Sequence, residues 1–314
     1  MDELARLVGA DNVQRNATVG DRVVSGTARA LVHPSSPEQV AEVVAWCYAH
    51  DVPIVPVGGR SGLAGGAAPL GRDAVAVALQ RLHTVRSFDP PLWRMEAEAG
   101  VTTVTIARLA RENGLLFPPD PGAPEDSQLG GTIATNAGGP HAFKYGVTGD
   151  WVTGIEAVLA PGELVRFGGP LRKDVAGYDL RALLIGSEGT LGIITAAWLR
   201  FVPAPERRFC VVASYPDAAA GAAAVARVLA GGVQAAALDY LDAATMQLAG
   251  DAFPREPLRG FVVTAEADGS AAEAERVRDE LIEALADGAQ SLWAPADAAH
   301  ARALWRWREG VSHA

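Results

Sequence analysis

The sequence predicts an α+β chain built in two parts, and three observations carry that prediction. Apolar strand-like runs alternate with single amphipathic stretches of helix length. Three glycine-rich turns interrupt the part before residue 205. After the prolines at 203 and 205 the rhythm changes to β-α-β-β-α-β-α. With 314 residues and 49% hydrophobic content, the chain can bury enough core for two domains, expected at 1–205 and 206–314.

The elements follow in order. Residues 37–50 read as a helix, with Pro37 in its first turn after Ser35-Ser36 and an apolar stripe of Val40, Val43, Val44 and Cys47. A buried strand over 52–57 completes a strand–helix–strand opening, and 74–79 reads as another strand. Residues 101–113 predict a second helix that Gly114 stops. An apolar run at 155–160 leads into the turn Pro161-Gly162-Glu163, and Pro203 and Pro205 mark a linker. Beyond it, 209–215 is strand-like, and 217–229 is an alanine-rich helix capped by Asp217 and stopped by Gly231-Gly232. Strands at 235–241 and 260–266 precede a helix over 270–286, where Ser270 and Glu273 have capping-box spacing. A short strand at 291–293 and a helix over 298–312 close the order, which matches a ferredoxin-like unit with one helix added.

Composition excludes several classes. The net charge of −10, from 27 basic and 37 acidic residues with no basic cluster, argues against a nucleic-acid partner. The acidic start lacks the apolar core of a secretory signal. Residues 218–238 are nearly devoid of polar side chains, but Gly231-Gly232 splits them into helix, turn and strand, so no membrane span is expected. Cys47 and Cys210 stand singly in apolar surroundings, the pattern of buried thiols in a reducing cytoplasm. The six histidines are scattered without ligand spacing, so no metal site is predicted.

The chemistry lies in the glycine elements. Val57, Gly58, Gly59, Arg60, Ser61, Gly62 and Leu63 follow the strand at 52–57, and Gly65 and Gly66 extend the run. Glycine tolerates positive φ, so such a loop points successive N–H groups into one concavity that suits phosphate oxygens. The spacing lacks the Gly-Lys-Ser/Thr of a P-loop, and the segment continues into a strand rather than the helix of a dinucleotide fingerprint. A second element, Gly130, Gly131, Thr132, Thr135, Asn136, Gly138 and Gly139, and a third at 186–195 repeat the pattern. Each alone reads as a tight turn; three together read as an extended ligand laid across backbone.

These residues resemble the FAD-linked oxidases of the vanillyl-alcohol oxidase/PCMH superfamily, in the branch of D-lactate, D-2-hydroxyglutarate and glycolate dehydrogenases. The resemblance is densest over 34–205. It implies a PCMH-type FAD-binding domain of two α+β subdomains followed by a partial ferredoxin-like cap domain. Val57 to Leu63 would wrap the pyrophosphate. Pro119, Asp120, Gly122, the second element, Glu188, Gly189, Ile193 and Ile194 would line the adenosine, ribityl and flavin positions. Lys173-Asp174 and Tyr178-Asp179 also match, in a structural hydrogen-bonding role. Arg60-Ser61 stands where members carry Gly-Thr, and Ser61 keeps the hydroxyl. Some members have a histidine there that bonds flavin covalently; none is present, so non-covalent FAD is expected.

In the second part, the run from Leu304 to Ser312 resembles the cap helix that supplies an arginine to the substrate carboxylate. Arg308 is the matching position, with Ser312 one turn later. The implied reaction is oxidation of a D-2-hydroxy acid to the 2-oxo acid by hydride transfer to flavin N5, with an unidentified electron acceptor. Without the resemblance, Arg306 and Arg308 read as solvated charges on an amphipathic helix. Members of the family continue into a histidine-rich metal-binding segment that supplies a base, and no residue here matches it. The expectation is therefore a truncated chain, or a short flavin-binding subunit of a larger redox complex. An unpaired cap-sheet edge, and with it self-association, is also expected. A UDP-sugar enolpyruvate reductase shares the first domain but fits the 186–205 run and the Trp305-x-x-Arg308 helix less well.

Overall fold

Local chemistry sets the element boundaries. In the computed structural model, which describes residues 2–248, 260–295 and 298–310, a short helix α1 (Asp2–Val8) opens the chain. Helix α2 (Pro37–Ala49) begins where the Ser36 hydroxyl accepts the Gln39 N–H at 3.3 Å, and its buried face is Pro37, Val40, Val43, Val44 and Cys47. Helix α3 (Thr103–Glu112) is capped by the Thr102 hydroxyl and ends ahead of Gly114, which takes φ 69°.

The chain divides into two compact units, Met1–Gly139 with Val147–Pro203, and Pro140–Gly146 with Ala204–Ala314. In the first unit, β1 (Val13–Gly20), β2 (Ser25–Val32), β3 (Ile54–Val57) and β4 (Val75–Ala78) form a sheet in the order β1-β2-β4-β3. Strand β4 is parallel to both β2 and β3, so β2-α2-β3 is a crossover unit with β4 inserted. The second sheet is antiparallel. It contains β5 (Val85–Asp89), β6 (Arg94–Glu98), β8 (Val152–Leu159), β9 (Glu163–Gly168) and β10 (Ile193–Arg200), in the order β5-β6-β10-β8-β9. A two-stranded ribbon joins β7 (Leu115–Leu116) to β11 (Val202–Pro203). One core unites the two main sheets: Val40, Val43 and Val44 of α2 pack with Val75 and Val77, and also with Val158 and Ile193.

Strand β3 is only partly buried, although the sequence read it as interior; it is the edge of its sheet, and Val57 alone is fully covered. Strand β8 carries a buried acid, Glu156, inside its apolar run. Arg86 Nη2 at 2.9 Å, Arg166 Nη2 at 2.7 Å and the Thr195 hydroxyl at 3.0 Å meet its carboxylate. Helices α4 (Leu129–Ala134) and α6 (Arg181–Leu184) are short, and α5 (Ala142–Tyr145) belongs to the second unit.

The second unit is one antiparallel sheet of β12 (Arg207–Tyr215), β13 (Ala237–Leu241), β14 (Phe261–Gly269) and β15 (Ser291–Trp293), in the order β13-β14-β12-β15. That is the ferredoxin-like strand order. Helices α7 (Ala218–Ala230) and α9 (Ala271–Ala286) are capped by Asp217 and Ser270 and cover one face. Helix α10 (Ala298–Gly310) packs Leu304 and Trp307 against Cys210, Val212, Leu241 and Val262 on the other. Helix α8 (Ala243–Leu248) was not anticipated. Segment Pro140–Gly146, read from sequence as part of the first domain, clusters with the second unit because His141, Lys144 and Tyr145 bond to β14. Residues 218–238 are helix, turn and strand, and among the described residues no helix is long and apolar enough to cross a membrane.

Candidate functional site

The three glycine elements meet within the first unit. Gly58 directly follows β3, and a Cβ placed on it would lie 3.6 Å from the Cα of Gly131. Glu188 donates its N–H to Ala134 O at 2.8 Å, and a Cβ on Gly189 would fall 2.7 Å from the Pro56 ring. Glu188 Oε2 would stand 3.1 Å from a Cβ on Gly66. Residues 56–66, 131–134 and 188–189 therefore share one place.

Close approach forbids side chains here. A Cβ on Gly59 would fall 1.7 Å from Asp126 O, one on Gly130 2.7 Å from the Ala99 methyl, and one on Gly139 2.2 Å from Asp120 O. Arg60, Asn136 and Glu188 hold left-handed backbone, with φ 58°, 48° and 50°. The Arg60 side chain is exposed, and its charge, after burial, helps hold His33 below the ordinary histidine range. The Ser61 hydroxyl lies 3.0 Å from that of Ser127, while Gly62 O accepts the Arg22 N–H at 3.2 Å. Leu63 is exposed. Asp21 fastens the far end of the loop by accepting from Gly65; its hydrogen bonds from Val24, Val23 and Gly65 hold its carboxyl below the usual range.

The remaining predicted positions divide by role. Thr132 is buried and donates its hydroxyl to Leu129 O at 2.8 Å; Thr135 donates to Gly131 O at 2.9 Å. Asn136 Oδ1 accepts from Gly149 N at 2.8 Å. These groups brace backbone, whereas the sequence reading gave Thr132 and Asn136 to a ligand. Ile193 and Ile194 open β10 with side chains in the core, which leaves only their backbone for any ligand. Pro119 is buried, Asp120 lies against Gly139, and Gly122 and Gly138 are exposed. Gly130 and Gly131 lie inside α4 rather than in a loop. Asp179 takes the structural part expected of it, accepting from Arg181 Nη2 at 2.7 Å, while Tyr178 is exposed. Asp174, Tyr178 and Asp179 line a separate cleft of about 510 Å³ with Arg172, Arg181 and Arg200; no predicted cofactor position borders it.

Two features fit a flavin dinucleotide held mainly by backbone. A Cβ on Gly131 would meet nothing within 4 Å, so α4 opens onto space at this residue. Beside it, the Gln128 side-chain oxygen is buried without a hydrogen-bond partner, 3.9 Å from a Cβ on Gly58. Gln128 escaped the sequence reading, and its only signal was its place directly before Leu129-Gly130-Gly131.

In the second unit, β14 carries charge on the face away from α7 and α9. Glu266 and Asp268 are buried, 2% and 0% exposed, and alternate with Ala265 and Ala267, which face the helices. Glu266 accepts from His141 Nε2 at 2.8 Å and Trp305 Nε1 at 2.6 Å, with Arg208 Nη1 at 3.6 Å. Asp268 accepts from Lys144 Nζ at 2.6 Å and the Tyr145 hydroxyl at 2.7 Å. Burial pushes Glu266 up, but the hydrogen bond and charge of His141, with Arg208 and Trp305, outweigh it and hold the carboxyl below its ordinary range. Burial and then Asp268 push the Tyr145 phenol above its ordinary value. Arg308 is partly buried on α10, and its Nε donates to Asp239 Oδ2 on β13. Ser312 lies outside the described residues. Among the described residues no histidine, cysteine and carboxylate cluster could hold a metal.

A two-sheet α+β unit with a backbone cradle, followed in the chain by a ferredoxin-like sheet, has the domain order of a nucleotide-binding flavoprotein. The FAD binding domain profile matches residues 28–168, and that of the FAD linked oxidases C-terminal domain matches 204–314. The chain belongs to the FAD-linked oxidases, and its first unit carries their FAD-binding domain. It is 38% identical over 217 residues to glycolate oxidase subunit GlcD of Bacillus subtilis, covering 69% of this chain and 46% of that protein. Against D-lactate dehydrogenase of Anaerostipes hadrus it is 38% identical over 214 residues, covering 68% of this chain and 45% of the relative. With mitochondrial D-2-hydroxyglutarate dehydrogenase of Rattus norvegicus the figures are 32% over 301 residues, 93% and 56%. The chain thus spans about half the length of the curated relatives it matches. Its fold is similar to that of alkyldihydroxyacetonephosphate synthase, with a TM-score of 0.79 at 21% identity over 98% of this chain and 67% of that one. The fold of p-cresol methylhydroxylase is also similar, with a TM-score of 0.77 at 17% identity over 93% and 65%.

Proposed function

We propose that this chain forms the FAD-binding and carboxylate-binding part of an oxidoreductase that converts a D-2-hydroxy acid of the D-lactate, glycolate or D-2-hydroxyglutarate type to the 2-oxo acid. The observation that carries the reading is the convergence of Gly58, Gly131 and Gly189 beside open space and an unpartnered Gln128 oxygen. The printed names of the relatives give the substrate class.

In this reading FAD is bound non-covalently and supplies the two-electron acceptor. The amides of 57–63 and the first turn of α4 face its phosphates, because aligned N–H groups at short range neutralise anionic oxygen without bringing a counter-charge. Pro119, Asp120, Gly122, the backbone of Ile193 and Ile194, and Glu188-Gly189 line the rest of the cradle. Thr132, Thr135 and Asn136 hold the turn of α4 in shape through their backbone contacts. Residues 206–314 form part of the substrate cap, in which Arg308, with Ser312, binds the substrate carboxylate and so orients its hydroxyl-bearing carbon. The proton acceptor for that hydroxyl is assigned to no residue of this chain. The two lone buried thiols support a reducing compartment, the cytoplasm.

The test is reconstitution. Purified chain should take up FAD and show a bound-flavin absorbance spectrum, and adding D-lactate, glycolate or D-2-hydroxyglutarate should bleach it. A chain that stays colourless after reconstitution overturns the cofactor assignment. A yellow chain that none of the acids reduces leaves the cofactor in place, removes the activity, and favours a flavin-carrying subunit of a larger redox complex.

A further inference from the structure

Arg308 is not a lone cation on a helix surface. In the antiparallel pairing of β13 with β14, Ala237 stands opposite Glu266 and Asp239 opposite Thr264. Asp239, Thr264 and Glu266 therefore share the sheet face away from α7 and α9, the face on which α10 packs. Helix α10 is held to that face at two polar points three residues apart: Trp305 Nε1 to Glu266 Oε2, and Arg308 Nε to Asp239 Oδ2. Leu304 and Trp307 lie buried beside them. Asp239 is itself fixed, because its Oδ1 accepts the Tyr240 N–H at 2.9 Å.

The mode of contact matters. A guanidinium has two edges able to bind a carboxylate bidentately, one through Nε and a terminal nitrogen and one through both terminal nitrogens. Asp239 engages Nε, and among the described residues the terminal nitrogens meet no other carboxylate. The side chains of Arg308 and Asp239 are 27% and 23% exposed, so the pair is reachable from outside but too enclosed to be a freely solvated bridge. We propose that Asp239 is a positioning residue: by tying Nε to β13 it turns the terminal fork of Arg308 outward, pre-set for a single ligand carboxylate bound end-on.

This assignment rests on Arg308 being the carboxylate-binding residue. A rival role predicts the opposite sign: were Asp239 an internal competitor occupying the guanidinium, its removal would strengthen anion binding. Pre-organisation predicts weakening, because the freed arginine regains rotamer freedom that each binding event must then remove.

The experiment measures calorimetric binding of oxamate, a carboxylate that flavin cannot oxidise, to the FAD-reconstituted chain. Asp239→Ala should weaken binding about tenfold, and Asp239→Asn, whose carbonyl still accepts from Nε, should recover to within about threefold of the unsubstituted chain. Arg308→Lys keeps the charge but loses the fork and should bind at least tenfold more weakly. Where turnover is measurable, Asp239→Ala should raise KM about tenfold while kcat falls less. Far-UV circular dichroism and melting temperature identify a variant that has simply lost its fold, in which case Asp239→Asn against Arg308→Lys decides. Unchanged or tighter binding by Asp239→Ala overturns the proposal. Absence of oxamate binding by the unsubstituted, flavin-loaded chain removes Arg308's role and the assignment with it. Weakening by Arg308→Lys alone, with both Asp239 variants unaffected, leaves Arg308 in place and removes Asp239.

Discussion

Around Gly58, Gly59 and Gly131 the first unit is shaped by side chains that are missing, whereas along β14 the second unit is shaped by side chains that are charged and buried. The first arrangement needs no ion pairs: Cα atoms approach to contact distance, and amides are left to face what enters. The second hides two carboxylates and must match each with donors, since an unpaired buried charge is costly. Backbone cradles thus fail by addition of atoms, and carboxylate clusters by their removal. Substitutions should separate the two modes.

The largest effect belongs to the carboxylates. Glu266→Ala would remove the buried acceptor of the His141 and Trp305 N–H groups, and Asp268→Ala that of the Lys144 ammonium and the Tyr145 hydroxyl, so each should lower unfolding free energy by about 3–5 kcal/mol in a denaturant titration. A loss below about 1 kcal/mol would mean that the cluster is not what holds 140–146. Protonation should act in the same direction. Because the folded Glu266 carboxyl titrates below its ordinary value of 4.5, its contribution is complete above that value and is lost as pH falls through the folded value. Melting temperature should therefore drop on acidification below about pH 4.5, and Glu266→Gln should flatten that part of the profile.

Next comes a pair of alanines in the cradle. Gly59→Ala drives a methyl into Asp126 O and should cost about 2–3 kcal/mol together with flavin retention. Gly131→Ala meets no protein atom and lies in a helix, so it should leave stability unchanged or raise it by up to about 1 kcal/mol. Its flavin affinity should nevertheless fall by at least about tenfold, read by absorbance after gel filtration. Equal flavin uptake in Gly131→Ala would show that the space beside it is not where the cofactor lies. The smallest effect is expected from Asp217→Ala, which removes the cap of α7 at about 1 kcal/mol and should leave flavin content untouched.

Legibility in the sequence tracked locality. Caps written within three residues, at Asp217 and Ser270, appear where the sequence placed them, because the competing groups are neighbours in the chain. Gly130-Gly131 reads as a loop but folds as helix; at Gly130 the requirement for glycine comes from Ala99 across the packing, not from a turn. The strand read as ending at Glu266 runs on to Gly269. Asp268 looks like a turn residue until Lys144, 124 positions earlier, supplies its partner. The carboxylate-binding role proposed for Arg308 comes from resemblance alone; that Arg308 leans on Asp239, 69 positions away, follows from strand register and not from any local pattern.

The path of the chain through Pro140–Gly146 bears on how the molecule can be taken apart. It leaves the first unit after Gly139 and rejoins it at Val147, so no single cut separates the units cleanly. A fragment ending at Pro203 would still carry His141, Lys144 and Tyr145 while shedding Glu266 and Asp268. Dissecting this flavoprotein into halves is a task for redesigning that excursion first, and for choosing the scissors second.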